Sequence, residues 1–256
     1  MSRIEKVFAS KDRKALVAYV TMGYPDVKST PEIVMALVES GCDIIELGIP
    51  FSDPLADGPT IQHSSFAALQ GGITPEICLE IAESIRQKTE VPLVFMGYYN
   101  PVLHYGMEGF CSQCARVGVD GLIIPDLPPE EATELEKLTG KQGLDLIYLL
   151  APTSDDARIE LVVEKSRGFV YLVSITGVTG ARTDLPEDLE SLVARVRQKT
   201  RLPICVGFGI STPEHAQRVA GVADGIIVGS RIIQLIDEDR SLLKLKSYIA
   251  GMKAAL

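Results

Sequence analysis

Residues 41–62 read GCDIIELGIPFSDPLADGPTIQ, and their opening phrase recurs through the chain. Glycine and aspartate come first, then a short apolar or β-branched run, then a polar loop. The same order returns in GVDGLIIPD at 118–126, GLDLIYLLAP at 143–152 and GVADGIIVGS at 221–230. Each glycine ends a helix-like segment, where a left-handed C-cap suits it. Each apolar run is short and unbroken, the pattern of a strand covered on both faces. A second phrase opens on proline, in VPLVFMGYYN at 91–100 and LPICVGFGI at 202–210. With ALVAYVTMG at 15–23 and GFVYLVSITG at 168–177, the runs number eight.

Helical stretches alternate with these runs, opening near Ser29, Thr60, Thr74, Met107, Pro129, Ser154, Leu185, Pro213 and Ser241. Thr74-Pro75-Glu76 and Thr212-Pro213-Glu214 carry an N-cap followed by proline and an acid, a helix-start signal. Eight βα units without a composition break predict one α/β domain over 1–256, a (β/α)8 or TIM barrel. An extra helix is expected ahead of the first strand, at about 2–10. A doubly wound open sheet is the alternative; the unit count and the lack of GxGxxG after the first strand weigh against it.

Composition narrows the function. The 256 residues are 46% hydrophobic and 23% charged, enough for a sizeable core. Thirty-four acidic against 25 basic residues give −9, with the basic ones scattered. That argues against nucleic acid or an anionic membrane as partner, and leaves any anionic substrate to local backbone donors. No apolar run approaches the roughly 20 residues of a membrane span. The start, MSRIEKVFASKDRK, is charged throughout and lacks a signal-peptide core, so the cytoplasm is expected, or a plastid stroma for a plant or algal source. Five cysteines fit a reducing compartment. Cys111 and Cys114 form a CxxC within a helix-like stretch, but neither a second ligand pair nor a thioredoxin-like context accompanies it. They read as small buried residues.

In a barrel, the strand ends that lead into helices open on one face, where the active site forms. Glu46 ends a buried run there. An acid in that place is costly unless it is paired or does chemistry, and a protein wall around it raises its pKa toward a useful range. Asp57 is either its catalytic companion or the cap of the helix near Thr60. Asp53 reads more simply as a loop-surface charge. The turns GFGIS and VGS, around Gly209, Gly229 and Ser230, let backbone N–H groups approach an oxyanion, and Ser230 opens a short helix. The loop GVTGAR at 177–182 adds donors and is expected to close over a ligand. No lysine stands at a strand exit, which argues against an imine or a PLP Schiff base in this chain. His63, His104 and His215 show no metal-ligand spacing, so no metal is expected. Carboxylate acid–base chemistry with help from tyrosine remains. Tyr19, Met96, Tyr98, Tyr171 and Phe208 would suit a flat apolar group joined to a phosphate.

These motifs resemble the tryptophan synthase α subunit family over nearly the whole chain. ELGIPFSDPLADGPTIQ is the most specific, supported by MGYYNPV, GVDGLIIPDLPPEE, GVTG, VGFGIS and GIIVGS. The resemblance implies reversible retro-aldol cleavage of indole-3-glycerol phosphate to indole and glyceraldehyde 3-phosphate. It implies Glu46 and Asp57 as the catalytic pair, Tyr171 beside the reacting centre, and Thr179 as a loop residue that positions the aspartate. Gly180, Gly209, Gly229 and Ser230 fall where the family binds phosphate, and Tyr19 lies at the indole pocket, where phenylalanine is common. The resemblance further implies a PLP-dependent β subunit in an α2β2 heterotetramer, no cofactor in this chain, and a contact surface including Pro50, Asp53, Asn100 and His104. A stand-alone lyase that releases free indole, and a feeble catalyst that chiefly activates the β subunit, remain as alternatives.

Overall fold

Every one of the eight apolar runs contains a strand, and all the strand pairings are parallel. The computed structural model describes residues 1–9, 14–173, 189–207 and 209–256. Its strands are β1 (Ala15–Thr21), β2 (Ile44–Gly48), β3 (Leu93–Met96), β4 (Gly121–Ile123), β5 (Asp145–Ile147), β6 (Leu149–Leu150), β7 (Val170–Val173), β8 (Ile204–Gly207) and β9 (Gly225–Val228). The hydrogen-bonded order is β5-β4-β3-β2-β1-β9-β8-β7-β6. Its two ends, β5 and β6, are neighbours in the chain, separated only by Tyr148. The Tyr148 carbonyl accepts the Tyr171 N–H at 3.1 Å. The sheet therefore closes on itself, and the expected barrel is the observed one.

Period-two alternation along the strands makes two cores. Residues such as Leu16, Ala18, Val20, Ile45, Leu47, Phe95 and Leu122 point outward and are buried under the helices. Val17, Ile44, Val94, Ile123, Ile147, Phe169, Cys205 and Ile227 point inward and fill the cylinder. Ile4, wholly buried, enters that inner cluster from below on the N-terminal helix Arg3–Val7. The helix begins where Ser2 accepts the Glu5 N–H while Glu5 reaches back to the Ser2 N–H, a reciprocal cap.

The recurring aspartates explain the phrase that decided the fold. Asp43 accepts the Leu16 N–H, Asp120 the Leu93 N–H and Asp224 the Ile204 N–H, each at 2.8 Å. Each of these carboxylates thus satisfies an amide at the start of the preceding strand in the barrel wall, the first in β3 and β8 and the second in β1. Each is also paired with a cation: Lys253 for Asp43, Arg86 for Asp120 and Arg197 for Asp224. Arg3 joins Asp120 at 3.1 Å, and the Ser2 hydroxyl donates to Asp145 at 3.1 Å. These contacts lie at the strand starts, opposite the face where the strands lead into their helices.

Several boundaries differ from expectation. Pro129 does not open a helix: residues 129–131 form a turn, and the helix is Thr133–Gln142. The helix expected near Ser154 begins at Asp156, behind an Asp155 cap, and the last helix begins at Leu243 rather than Ser241. The expected start at Leu185 lies outside the described residues, within which the helix Leu189–Lys199 is seen. A short helix, Tyr99–Tyr105, is additional; its proline stands in the first turn, where a missing N–H costs little. All five cysteines are free and buried, Cys111 and Cys114 among them, and burial pushes the Cys111 thiol up to about 11.

Candidate active site

Glu46 lies on β2, third of five residues, directly beside Tyr19 of β1 and Val94 of β3. Even-numbered β2 residues point into the barrel, so its carboxyl reaches the interior just above Ile44. It is 1% exposed, and neither carboxyl oxygen has a hydrogen-bond partner among the described residues. Burial, and then the charge of Asp57, push its pKa from 4.5 to about 8. A buried carboxyl without donors takes the neutral form to avoid the cost of an unsolvated charge.

Asp57 approaches from the loop after β2. It does not cap the following helix: that helix is Pro59–Gln70, its N-cap is Gly58, and no side chain caps it. The Asp57 carbonyl instead accepts from the Gln62 side chain at 2.8 Å. Its carboxyl meets the Tyr98 hydroxyl. Burial raises the Asp57 pKa to about 6, against the opposing effect of that hydrogen bond. Tyr98 also accepts the Ala56 N–H at 3.0 Å, and Phe51 packs on its ring with centroids 5.3 Å apart. One tyrosine thus fixes both the course of the loop and the carboxyl it carries.

Two more tyrosines enclose the pair. Tyr19 and Tyr171 are buried, and both phenols are held neutral by burial together with the charges of Glu46 and Asp57. Their rings fit only because glycine stands on the adjacent strand. A Cβ at Gly48 would lie 2.2 Å from the Tyr19 hydroxyl, and one at Gly207 would lie 2.8 Å from the Tyr171 hydroxyl. Met96, next along β3, is partly buried on the same inner face.

The glycine turns stand at the neighbouring exits. Gly209 is exposed, with φ +58. Gly229 caps the helix Ser230–Glu238, whose first amides carry the positive end of the helix dipole. Gly229 abuts Tyr19, its hypothetical Cβ 3.3 Å from the Tyr19 Cβ. Thr179, Gly180 and Phe208, with the rest of the 177–182 loop, lie outside the described residues. Of the expected contact residues, Asp53, Asn100 and His104 are exposed, whereas Pro50 is buried and offers little surface. Leu55, 94% exposed at the tip of the Asp57 loop, and Leu103, 51% exposed, lie among them in sequence and were not anticipated. Among the described residues no helix is long and apolar enough to cross a membrane, and no three His, Cys, Asp or Glu side chains gather as a metal site.

The arrangement is a neutral buried acid near a carboxyl that ionises more readily, with Gly229, at the amide end of the helix Ser230–Glu238, packed against the neighbouring Tyr19. Such a pair can give a proton and stabilise a cation at the same moment. The family model of the tryptophan synthase alpha chain matches residues 6–254. The tryptophan synthase alpha chain of Dehalococcoides mccartyi is 57% identical over 256 residues, covering all of both chains. That of Geotalea uraniireducens is 49% identical over 262 residues, covering all of this chain and 98% of its own. Among solved structures, Mycobacterium tuberculosis tryptophan synthase matches with a TM-score of 0.94 at 42% identity, over 99% of this chain and 98% of that one. The Legionella pneumophila tryptophan synthase subunit alpha matches with a TM-score of 0.92 at 36% identity, over 100% and 98%.

Proposed function

The chain belongs to the tryptophan synthase alpha chain family, and we propose that Glu46 and Asp57 carry its lyase reaction, the reversible cleavage of indole-3-glycerol phosphate. The observation that supports this assignment is the buried, unpartnered Glu46 carboxyl beside the Asp57 charge. With pKa values of about 8 and about 6, the two groups stand at neutral pH chiefly as acid and anion.

Glu46 gives its proton to indole C3, and the ring nitrogen becomes positive. The Asp57 carboxylate stabilises that charge at the N–H, an electrostatic contribution aimed at the transition state. Glu46, now ionised, takes the proton of the adjacent glycerol hydroxyl. The C3–carbon bond breaks, its electron pair returns to the indole ring, and the hydroxyl-bearing carbon becomes the aldehyde of glyceraldehyde 3-phosphate. One proton leaves Glu46 and one returns. Tyr171 borders the reacting centre, and Tyr19, Met96 and Phe208 line the indole side. Thr179 positions Asp57, while Gly180, Gly209, Gly229 and Ser230 hold the phosphate by backbone amides and the helix terminus.

Indole is consumed by a PLP-dependent β subunit in an α2β2 assembly, with PLP held by that partner. Asp53, Asn100 and His104 are the exposed residues that meet it, joined by Leu55 and Leu103. The cytoplasm is the proposed location. The test is turnover of indole-3-glycerol phosphate by the purified chain, alone and with a β subunit. Glu46→Gln is expected to abolish indole release in a folded protein that still activates the partner; substantial cleavage by that variant would overturn the assignment.

A further inference from the structure

The loop that carries Asp57 is thinly packed, with Ser52, Asp53, Leu55 and Ala56 all exposed. Tyr98 grips it from one side, through the Ala56 N–H and the Asp57 carboxyl. On the other side the chain runs through Gly58, which has no side chain to fix it, into Pro59. The Asp57 N–H goes to the Pro54 carbonyl at 3.0 Å, within the loop itself. That leaves the Asp57 carbonyl, which accepts the Gln62 side-chain amide at 2.8 Å. Among the described residues, this is the one hydrogen bond that ties the Asp57 main chain to a regular element.

Gln62 can hold Asp57 still only if its own helix is fixed. Its backbone N–H closes the first turn on the Gly58 carbonyl at 2.9 Å. Two residues on, Ser64 Oγ lies 2.7 Å from Thr21 Oγ1 on β1, the two residues being 0% and 1% exposed. Either hydroxyl can donate in that pair, and the contact ties the helix to the barrel wall in both cases. Away from water such a bond is costly to break, because a buried hydroxyl loses its partner. Ile61, between Gln62 and the wall, lies 3.6 Å from a hypothetical Cβ on Gly229. A continuous path thus runs from β1 through Thr21, Ser64 and Gln62 to Asp57. It matters because a reacting group misplaced by about 1 Å can lose about 100-fold in rate.

We propose that Gln62 and Ser64 are positioning residues of this reaction: the helix Pro59–Gln70 is a bracket, bolted to the barrel wall by Ser64 on Thr21, from which Gln62 holds the Asp57 main chain and so aims its carboxylate at the substrate's ring nitrogen. The inference rests on the lyase reading above.

The test is Gln62→Met, which keeps the length of the side chain and deletes the donor. Gln62 is exposed, so the urea midpoint of the free chain should not move. In complex with a β subunit, kcat for indole release is expected to fall about tenfold, short of the full cost of a misplaced group because Tyr98 keeps its hold. KM for indole-3-glycerol phosphate should stay within about twofold, since nothing proposed to touch the ligand has changed. Ser64→Ala, which unbolts the helix, should lower kcat in the same way, and the two changes together should cost less than the product of their separate losses. In an Asp57→Asn background neither change should cost anything further. Carboxyl-carbon NMR of the free chain, with Asp57 assigned from the Asp57→Asn variant, reads placement without turnover; the Asp57 signal should shift or broaden in Gln62→Met. An unchanged kcat, a loss in KM alone, or an Asp57 signal identical to that of the parent chain overturns the inference. So does an equal loss with and without Asp57, the mark of a merely structural role. Failure of the lyase reading is seen separately, as no cleavage by the unmodified chain with its partner.

Discussion

Replacing Glu46 by glutamine should stabilise the protein, and by an amount that depends on pH. Burial and the Asp57 charge raise the carboxyl from 4.5 to about 8 on folding. Each unit of that gap is worth about 1.4 kcal/mol. Because the folded value lies above the unfolded one, the contribution of Glu46 is fully present below about pH 4.5 and lost as pH rises through about 8. Relative to acid pH, the cost is about 3 kcal/mol at pH 7 and levels off near 5 kcal/mol above pH 8. Glutamine fills the same volume without a charge to remove from water. The variant should therefore match the parent chain near pH 4.5 and exceed it by about those amounts at pH 7 and pH 8.5. Urea unfolding at the three pH values, analysed with a common slope, measures the difference. A difference that stays flat with pH, or a variant less stable at pH 8.5, would refute the account of Glu46 as a buried neutral acid. The gain in stability and the loss of turnover would share one cause, an acid kept where it is costly because it works there.

The free chain should show a bell-shaped kcat/KM profile, its acid limb set by Asp57 near pH 6 and its alkaline limb by Glu46 near pH 8. Asp57→Asn should lower the Glu46 pKa by less than half of its rise, burial being the larger cause, and a carboxyl NMR titration reads that change. Gly48→Ala should displace Tyr19, cost about 1–3 kcal/mol in urea unfolding and lower turnover, because the new methyl group would sit 2.2 Å from the phenol oxygen. Asp120→Ala should cost about 3–5 kcal/mol by leaving Arg86 and the Leu93 amide unmatched at the barrel floor. Turnover per folded molecule should be unchanged in that variant, which a stopped assay at low temperature checks.

The barrel was legible because each buried parallel strand writes itself as an unbroken apolar run. The break at Tyr148 was not: GLDLIYLLAP reads as one strand, and only the closed sheet reveals the interruption. Pro128 and Pro129 ahead of two glutamates imitate a helix start, but the chain makes turns there before Thr133. Glu46 stood out as a lone acid closing such a run. The Tyr98 bond to Asp57 joins residues far apart in sequence, and no local pattern encodes it. The fit of Tyr19 over Gly48 is equally silent, since it depends on the register of β1 against β2. SRIE at the start does carry a reciprocal-cap signature, and it marks the helix whose Ile4 the inner core receives.

That helix has a consequence for synthesis. Its sites on Asp120, Asp145 and Phe169 are made long after it leaves the ribosome, so the first turn emerges with nowhere to dock. The barrel floor can be sealed only once the seventh strand is out. Ordering of the amino end is then a late event in biogenesis, and hydrogen exchange at Ile4 on nascent chains of increasing length would record it.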